Sequence, residues 1–104
     1  MINHCVILKL RADHDAGELQ QVMAGLAALV GQIDGFLGFE HGPNIDVEGK
    51  SQDYAAGFVA RFESRASLEV YAANPDHRAL GARLVDQCHG GGDGISVFDI
   101  ESAL

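Results

Sequence analysis

The sequence predicts one α+β domain over residues 1–104, with a ferredoxin-like fold in which helices cover one face of a four-stranded antiparallel sheet. The first observation is the length of 104 residues, which suits a single domain with its own core. The second is a globular composition, with 47% hydrophobic and 21% charged residues. The third is the order of the predicted elements, which runs strand, helix, strand, strand, helices and strand.

The first strand covers residues 2–10, INHCVILKL, which are rich in Val, Ile and Leu. Because strand side chains alternate, the two faces carry different sets. One face holds Ile2, His4, Val6, Leu8 and Leu10, and the other holds Asn3, Cys5, Ile7 and Lys9. Both faces are largely apolar, which favours a strand that is covered on both sides.

The first helix follows at DHDAGELQQVMAGLAALVGQIDG. Its apolar residues recur at helical spacing, at Leu19, Val22, Met23, Leu26, Leu29, Val30 and Ile33. Asp15 and Glu18 have the spacing of a capping box, and Gly35 is a residue at which helices often stop. The pattern therefore predicts a helix that begins after Asp15 and runs to Gly35.

The rest of the chain supplies three more strands and two more helices. The strands are predicted at FLGFEHG, at DYAAGFVARFE and at ISVFDIE. Between the last two, Ser64 opens a short helix. Asn74 and Pro75 break that helix and start another, because Asn caps helices and Pro suits the first helical position. The HGGGDG segment before the last strand is predicted to be a flexible loop.

The second face of the sheet predicts a homodimer. Helices can cover only one face of four strands, while the other face would carry Cys5, Ile7, Leu37, Phe39, Val59 and Phe98. In a chain this short, the simplest cover is the sheet of a second copy. A monomer with a half-solvated sheet is the alternative.

A histidine on an apolar helix face is the main candidate for function. From His77, helical steps lead to Leu80, Leu84 and Cys88, so the ring lies on the stripe that faces the sheet. Tyr71 points the same way from the preceding helix, and His4 lies in the apolar run of the first strand. The pattern predicts that these three side chains converge in an apolar pocket between helices and sheet.

Such a pocket would suit acid–base chemistry. A helix N-terminus and apolar surroundings both disfavour imidazolium, so His77 should be neutral and able to act as a general base. The Tyr71 phenol could then hydrogen-bond a developing oxyanion. In the structural alternative, His77 hydrogen-bonds a backbone carbonyl or a side chain and has no further role, and Tyr71 fills the core with its hydroxyl reaching solvent. For His4 alone, a structural role is the favoured interpretation.

Charge and cysteine content exclude several classes of function. Seven Lys and Arg against fifteen Asp and Glu give a net charge of −8, and no basic cluster is present, which argues against nucleic-acid and anionic-membrane partners. No apolar run is long enough for a membrane span, and the N-terminus lacks the layout of a signal peptide. Cys5 and Cys88 lie far apart among apolar residues, which favours buried free thiols in a reducing, cytoplasmic location. No spacing typical of metal ligands is present, so we expect neither a metal nor a cofactor.

The remaining histidines and the glycine-rich segment are weaker candidates. His14 lies between two aspartates in a solvated turn, and His41 is predicted to face outward at a strand end. The HGGGDG segment follows a helix and lacks the Lys-Ser/Thr pair of a phosphate-binding loop.

Several segments together resemble the stress-responsive A/B-barrel (Dabb) family of the dimeric α+β-barrel superfamily. They are HCVILKL, HGPNI, FVARFES, LEVYAANPDH and VFDIE, and the Tyr-x-x-x-Pro-x-His portion is the most specific. The resemblance covers nearly the whole chain. It implies a ferredoxin-like protomer whose sheet pairs with that of a partner to close a dimeric α/β barrel, and most members of the family have no assigned activity.

The resemblance also implies candidate catalytic residues. A plant member of the family is a polyketide cyclase that closes a ring by aldol condensation without metal or organic cofactor. Its catalytic tyrosine and histidine match Tyr71 and His77, and a histidine of its first strand matches His4. Another pocket histidine of that enzyme falls near Ala56 here, and Asn74 stands where the plant sequence has a histidine.

Three interpretations of function follow. The first is a homodimeric domain of unassigned activity with an apolar pocket for a small hydrophobic ligand. The second is a cofactor-free lyase or cyclase in which His77 removes a C–H proton, Tyr71 stabilises the enolate and His4 orients the substrate. The third is a small cofactor-free monooxygenase, as in superfamily relatives. It ranks last because the chain has no Trp and only 7% aromatic residues to hold a flat ring.

Overall fold

The computed structural model describes residues 1–103, which form four strands, three α-helices and one short 3₁₀ helix. The strands are β1 (Ile2–Leu8), β2 (Phe36–Pro43), β3 (Ala56–Phe62) and β4 (Ile95–Glu101). The helices are α1 (Ala16–Ala27), α2 (Arg65–Ala73) and α3 (Pro75–Val85), and the 3₁₀ helix spans Gly91–Gly94. The strands lie in the order β2-β3-β1-β4, and each neighbouring pair is antiparallel. The predicted ferredoxin-like fold is confirmed.

The hydrophobic core lies between the helices and one face of the sheet. Its buried side chains include Ile2, Val6, Leu8, Val22, Met23, Leu26, Phe58, Phe62, Tyr71 and Leu84. The Phe36 and Phe62 rings stack with centroids 4.7 Å apart, which joins β2 to β3. Burial of a side chain of this size stabilises the fold by roughly 1.5–3 kcal/mol.

The opposite surface of the sheet, here called the open face, carries the alternate residues of each strand. Strand register places Val59 and Phe98 beside Cys5, and Ile100 beside Asn3, so these side chains share the open face. Phe98 is 58% exposed and Ile100 is 56% exposed in one copy of the chain. Cys5 is only half-buried, so the prediction of two buried thiols is wrong for Cys5 and correct for Cys88.

The first helix ends earlier than its apolar pattern predicts. The prediction placed its end at Gly35, but α1 ends at Ala27, and Gly31 adopts a φ of 81° that a continuous helix does not allow. Leu29 and Ile33 are still buried, because a backbone hydrogen bond from Ile33 to Leu29 forms a further turn that keeps near-helical spacing. The periodicity therefore continues beyond the helix itself.

The predicted capping box at the start of α1 is only half correct. The Asp15 side chain accepts from the Glu18 backbone N–H at 3.0 Å, as a cap should. The Glu18 carboxylate does not return to Asp15. It accepts two hydrogen bonds from the Arg83 guanidinium on α3, at 2.6 and 2.9 Å, and Gln87 accepts from the Asp15 N–H. The charged pair therefore joins α1 to α3.

Smaller differences concern element ends and the glycine-rich segment. β1 ends at Leu8, because the next backbone groups, those of Lys9, bond to His89 and Gly94 in the loop before β4. β3 begins at Ala56 and not at residue 53. The HGGGDG segment contains the 3₁₀ helix. Within residues 1–103, no helix has the length and apolar character needed to cross a bilayer.

Candidate functional site

A single residue between α2 and α3 positions the two principal candidates. Asn74 has an extended backbone and caps α3, and its Oδ1 accepts from the backbone N–H groups of Asp76 and His77 at 2.9 and 3.0 Å. Pro75 occupies the first turn of α3, where its missing N–H costs nothing. The sharp turn brings the last turn of α2 against the first turn of α3, and the Tyr71 and His77 ring centroids are 3.9 Å apart.

Tyr71 lies at the centre of an aromatic group. Its ring centroid is 4.9 Å from that of Phe62, 5.1 Å from that of Phe36 and 5.8 Å from that of His4. The residue is 1% exposed, and burial raises the pKa of its hydroxyl well above the usual value. The hydroxyl therefore stays protonated at physiological pH and can only act as a hydrogen-bond donor or neutral acceptor. The alternative in which this hydroxyl reaches solvent is wrong.

His4 is held by an aspartate that the sequence reasoning missed. Its Nδ1 is 2.5 Å from Asp99 Oδ1, and the two residues face each other across the β1–β4 ladder. Because an ionised carboxylate can only accept, Nδ1 of His4 carries the proton and Nε2 is oriented away from Asp99. A cross-strand His–Asp pair is the signal that could have identified Asp99, but it requires the register of β1 and β4.

His77 is half-buried and its imidazole favours the neutral form. Burial lowers the pKa of His77, the Ala72 backbone opposes this shift, and the nearby His4 and Arg78 reinforce it. Among the residues that the structure describes, Nδ1 of His77 and the hydroxyl of Tyr71 are buried without a hydrogen-bond partner. Because Nδ1 has no partner among those residues, the tautomer of His77 that carries its proton on Nε2 has an Nδ1 lone pair free to accept a proton.

These four side chains, His4, Tyr71, His77 and Asp99, form what is here called the acid–base cluster. The rings of His4, Tyr71 and His77 lie close together as predicted, but none of the three lines either of the two cavities described below. The other histidines lie apart from it. His14 contacts the Arg11 carbonyl at 2.9 Å, and His41 is exposed at the end of β2.

A cavity of about 280 Å³, here called the α2 cavity, opens beside this cluster. It is lined by Ile2, Arg65, Leu68, Glu69, Asp99 and Glu101. Asp99 connects it to His4, and Leu68 lies one helical turn before Tyr71. Its volume is just below the range for small-molecule sites, which is about 300–1,000 Å³. Of the four cluster residues only Asp99 lines this cavity, so the cavity meets the cluster at the His4–Asp99 pair.

A larger cavity of about 540 Å³ lies on the open face and not between helices and sheet. Ile7, Val59 and Phe98 contribute apolar walls, and Tyr54 and Ser96 close one end with a hydroxyl–hydroxyl hydrogen bond of 2.6 Å. None of the acid–base cluster lines it. This second cavity belongs to the surface on which a partner sheet is expected.

The acid–base cluster combines one proton acceptor, one proton donor and one oriented imidazole. Neutral His77 can take a proton at Nδ1, and the Tyr71 hydroxyl can donate to an oxygen that gains negative charge. The Tyr71 hydroxyl and Nδ1 of His77 belong to two rings in contact, and neither atom has a partner among the described residues. Each such buried atom lowers the stability of the fold by roughly 1–3 kcal/mol unless a bound group hydrogen-bonds to it. Within residues 1–103, no three His, Cys, Asp or Glu side chains are grouped so that they could hold a metal ion.

A family model and a curated relative both identify the same domain in this chain. The model of the Stress responsive A/B Barrel Domain family matches residues 2–102. The stress-response A/B barrel domain-containing protein HS1 of Arabidopsis thaliana is 25% identical over 76 residues, which cover 73% of this chain and 70% of that protein.

Solved structures give further likenesses. A dimeric ferredoxin-like protein of unknown function from Jannaschia sp. CCS1 is 38% identical, with a TM-score of 0.92 and coverage of 97% of this chain and 98% of that one. Hydroxynitrile lyase from Passiflora edulis has a TM-score of 0.80 at 15% identity, with coverage of 99% of this chain and 95% of that one, which is a likeness of fold alone.

Proposed function

The chain belongs to the stress responsive A/B barrel domain family, and on this premise we propose that it is a homodimeric, cofactor-free acid–base enzyme for a small carbonyl compound. The observation that carries the proposal is the contact between the Tyr71 and His77 rings, with one unpartnered polar atom buried on each. A buried pair without partners destabilises the fold, which argues that it serves a ligand.

In the proposed reaction, Nδ1 of His77 removes a proton from the carbon next to a carbonyl group. The electron pair of the broken C–H bond moves into the carbon–carbon bond that becomes the enolate, and negative charge develops on the oxygen. The Tyr71 hydroxyl donates a hydrogen bond to that oxygen, a contribution typically worth about 10²–10³ in rate. The enolate then takes back a proton or attacks a second carbonyl, as in a lyase or cyclase.

His4 has a supporting role in this scheme. Asp99 fixes its ring by accepting from Nδ1, which leaves Nε2 unengaged by Asp99, and the ring centroid lies 5.8 Å from that of Tyr71. Nε2 can orient a second polar group of the substrate. Because Asp99 lines the α2 cavity, the proposal takes this cavity as the entry, with an opening of the protein around Tyr71 admitting the substrate.

The exposed apolar side chains of the open face support the homodimer. Phe98 and Ile100 would be covered by the sheet of a second copy, and burial of such apolar area favours association. The 38% identical relative from Jannaschia is described as dimeric, which supports a dimer but does not identify the face.

Deuterium exchange tests the enzyme proposal without knowledge of the natural substrate. Heptane-2,4-dione carries acidic C–H protons between two carbonyls, and their replacement by deuterium in D₂O is followed by proton NMR. The wild type should accelerate exchange above the buffer rate, and His77→Gln should remove at least about 10²-fold of that acceleration. His14→Gln, which changes a histidine outside the cluster, is the matched control and should retain full activity. Exchange that is equal in wild type and His77→Gln contradicts the proposal.

A ligand-binding protein without turnover is the second candidate. The near-complete burial of Tyr71 favours it, because a side chain that is 1% exposed is reached only if the protein opens. Saturable binding of the diketone, with exchange no faster than in buffer, would select this candidate.

A further inference from the structure

We propose that the α2 cavity selects uncharged substrates and repels anionic ones, with Glu69 as the main residue that sets this selectivity. The inference deepens the proposed acid–base function and rests on it. It names the substrate class as small uncharged carbonyl compounds, in contrast to free oxo acids and to substrates that carry phosphate.

The argument begins with the charges that line the cavity. Three of its six lining residues are acidic, namely Glu69, Asp99 and Glu101, and one, Arg65, is basic. The Arg65 guanidinium already lies 3.2 Å from Glu101 Oε1, so its charge is engaged by a carboxylate of the same opening. An incoming anion therefore meets no free cation among the lining residues.

The remaining two carboxylates face the opening without a cationic lysine or arginine partner. Asp99 accepts from His4, and Glu69 forms no ion pair within the part of the chain that the structure describes. A net charge of −8 for the whole chain adds a repulsive long-range field.

The size of the effect follows from elementary electrostatics. Two like charges about 4 Å apart in water shift an equilibrium by about fivefold, and the shift is larger beside low-dielectric protein walls. The walls of the α2 cavity include Ile2 and Leu68, which strengthen the field of the carboxylates between them. An uncharged ligand is unaffected by this field, so the ratio of uncharged to anionic turnover measures it.

A matched pair of probes tests the inference. Heptane-2,4-dione and 4,6-dioxoheptanoate share the same diketone and nearly the same shape, but the second ends in a carboxylate where the first ends in a methyl group. The wild type should exchange the uncharged probe with a kcat/KM at least about fivefold higher than the anionic probe. Because exposed charges are screened by salt, 0.5 M NaCl should reduce this ratio.

Two variants locate the effect. Glu69→Gln should raise the kcat/KM of the anionic probe by about fivefold and bring the ratio closer to one. Glu48→Gln makes the same change in net charge in the distant β2–β3 loop, and it should leave the ratio at the wild-type value. Both substitutions are on exposed residues, so folding should be preserved.

The outcomes separate this inference from the function on which it rests. Exchange of both probes at equal rates, a preference for the anion, or an equal effect of the two variants would overturn the selectivity while the acid–base function stands. Exchange of neither probe above the buffer rate would overturn the acid–base function and the selectivity together.

Discussion

Replacement of Tyr71 by phenylalanine should remove activity and at the same time stabilise the protein. The ring is 1% exposed, and among residues 1–103 its hydroxyl has no hydrogen-bond partner. A buried polar group without a partner costs about 1–3 kcal/mol, whereas the ring packing is kept when only the oxygen is removed. We therefore expect the free energy of unfolding to rise by about 1 kcal/mol, which corresponds to a melting temperature about 4–8 °C higher.

The assay is urea unfolding at one fixed protomer concentration, because association makes apparent stability depend on concentration. Tyr54→Phe is the matched control. The Tyr54 hydroxyl is 2.6 Å from Ser96 Oγ, so its loss should cost about 1 kcal/mol and leave diketone exchange intact. Tyr71→Phe should lose about 10²–10³ in exchange rate. If Tyr71→Phe destabilises the protein as much as Tyr54→Phe does, the hydroxyl has a structural partner and the reasoning is wrong.

Two further predictions concern pH and assembly. Burial lowers the pKa of His77 in the folded state. Between this lowered pKa and the ordinary value of about 6.5, the unfolded chain therefore binds more protons than the folded chain. Stability should therefore fall as the pH drops through this window, and His77→Gln should flatten the urea-unfolding profile; an unchanged profile contradicts the shift. Phe98→Asp should produce monomers in sedimentation at micromolar concentration, whereas Val70→Asp, an equally exposed site on α2, should stay dimeric. Dimers of Phe98→Asp would show that the open face is not the interface.

The side of each helix or strand that faces the core could be predicted from the sequence. For this reason the approach of His4, Tyr71 and His77 to one another could also be predicted. Helical spacing placed Tyr71 and His77 on one side, and strand alternation placed His4 beneath them. The Asn74-Pro75 pair indicated the sharp turn between α2 and α3. These are local signals, and the structure brings the three side chains together as they indicate.

The parts that could not be predicted depend on contacts between distant segments. Asp99 reaches His4 only through the register of β1 with β4, which no local pattern specifies. Glu18 has the spacing of a capping residue, but its carboxylate prefers the charged Arg83, 65 positions away in sequence. The end of α1 was misplaced because Leu29 and Ile33 keep an apolar period through turns that are not helical.

A crystal structure of the protein with a bound uncharged phenol tests most directly whether Tyr71 and His77 form one site for a carbonyl substrate. A phenol oxygen resembles an enolate oxygen, and a site built for the enolate should bind it tightly. The expected complex has that oxygen within hydrogen-bond distance of the Tyr71 hydroxyl, with His77 Nδ1 over the adjacent carbon. A phenol found only on the open face, with the Tyr71 hydroxyl bonded to another protein group, would contradict the account.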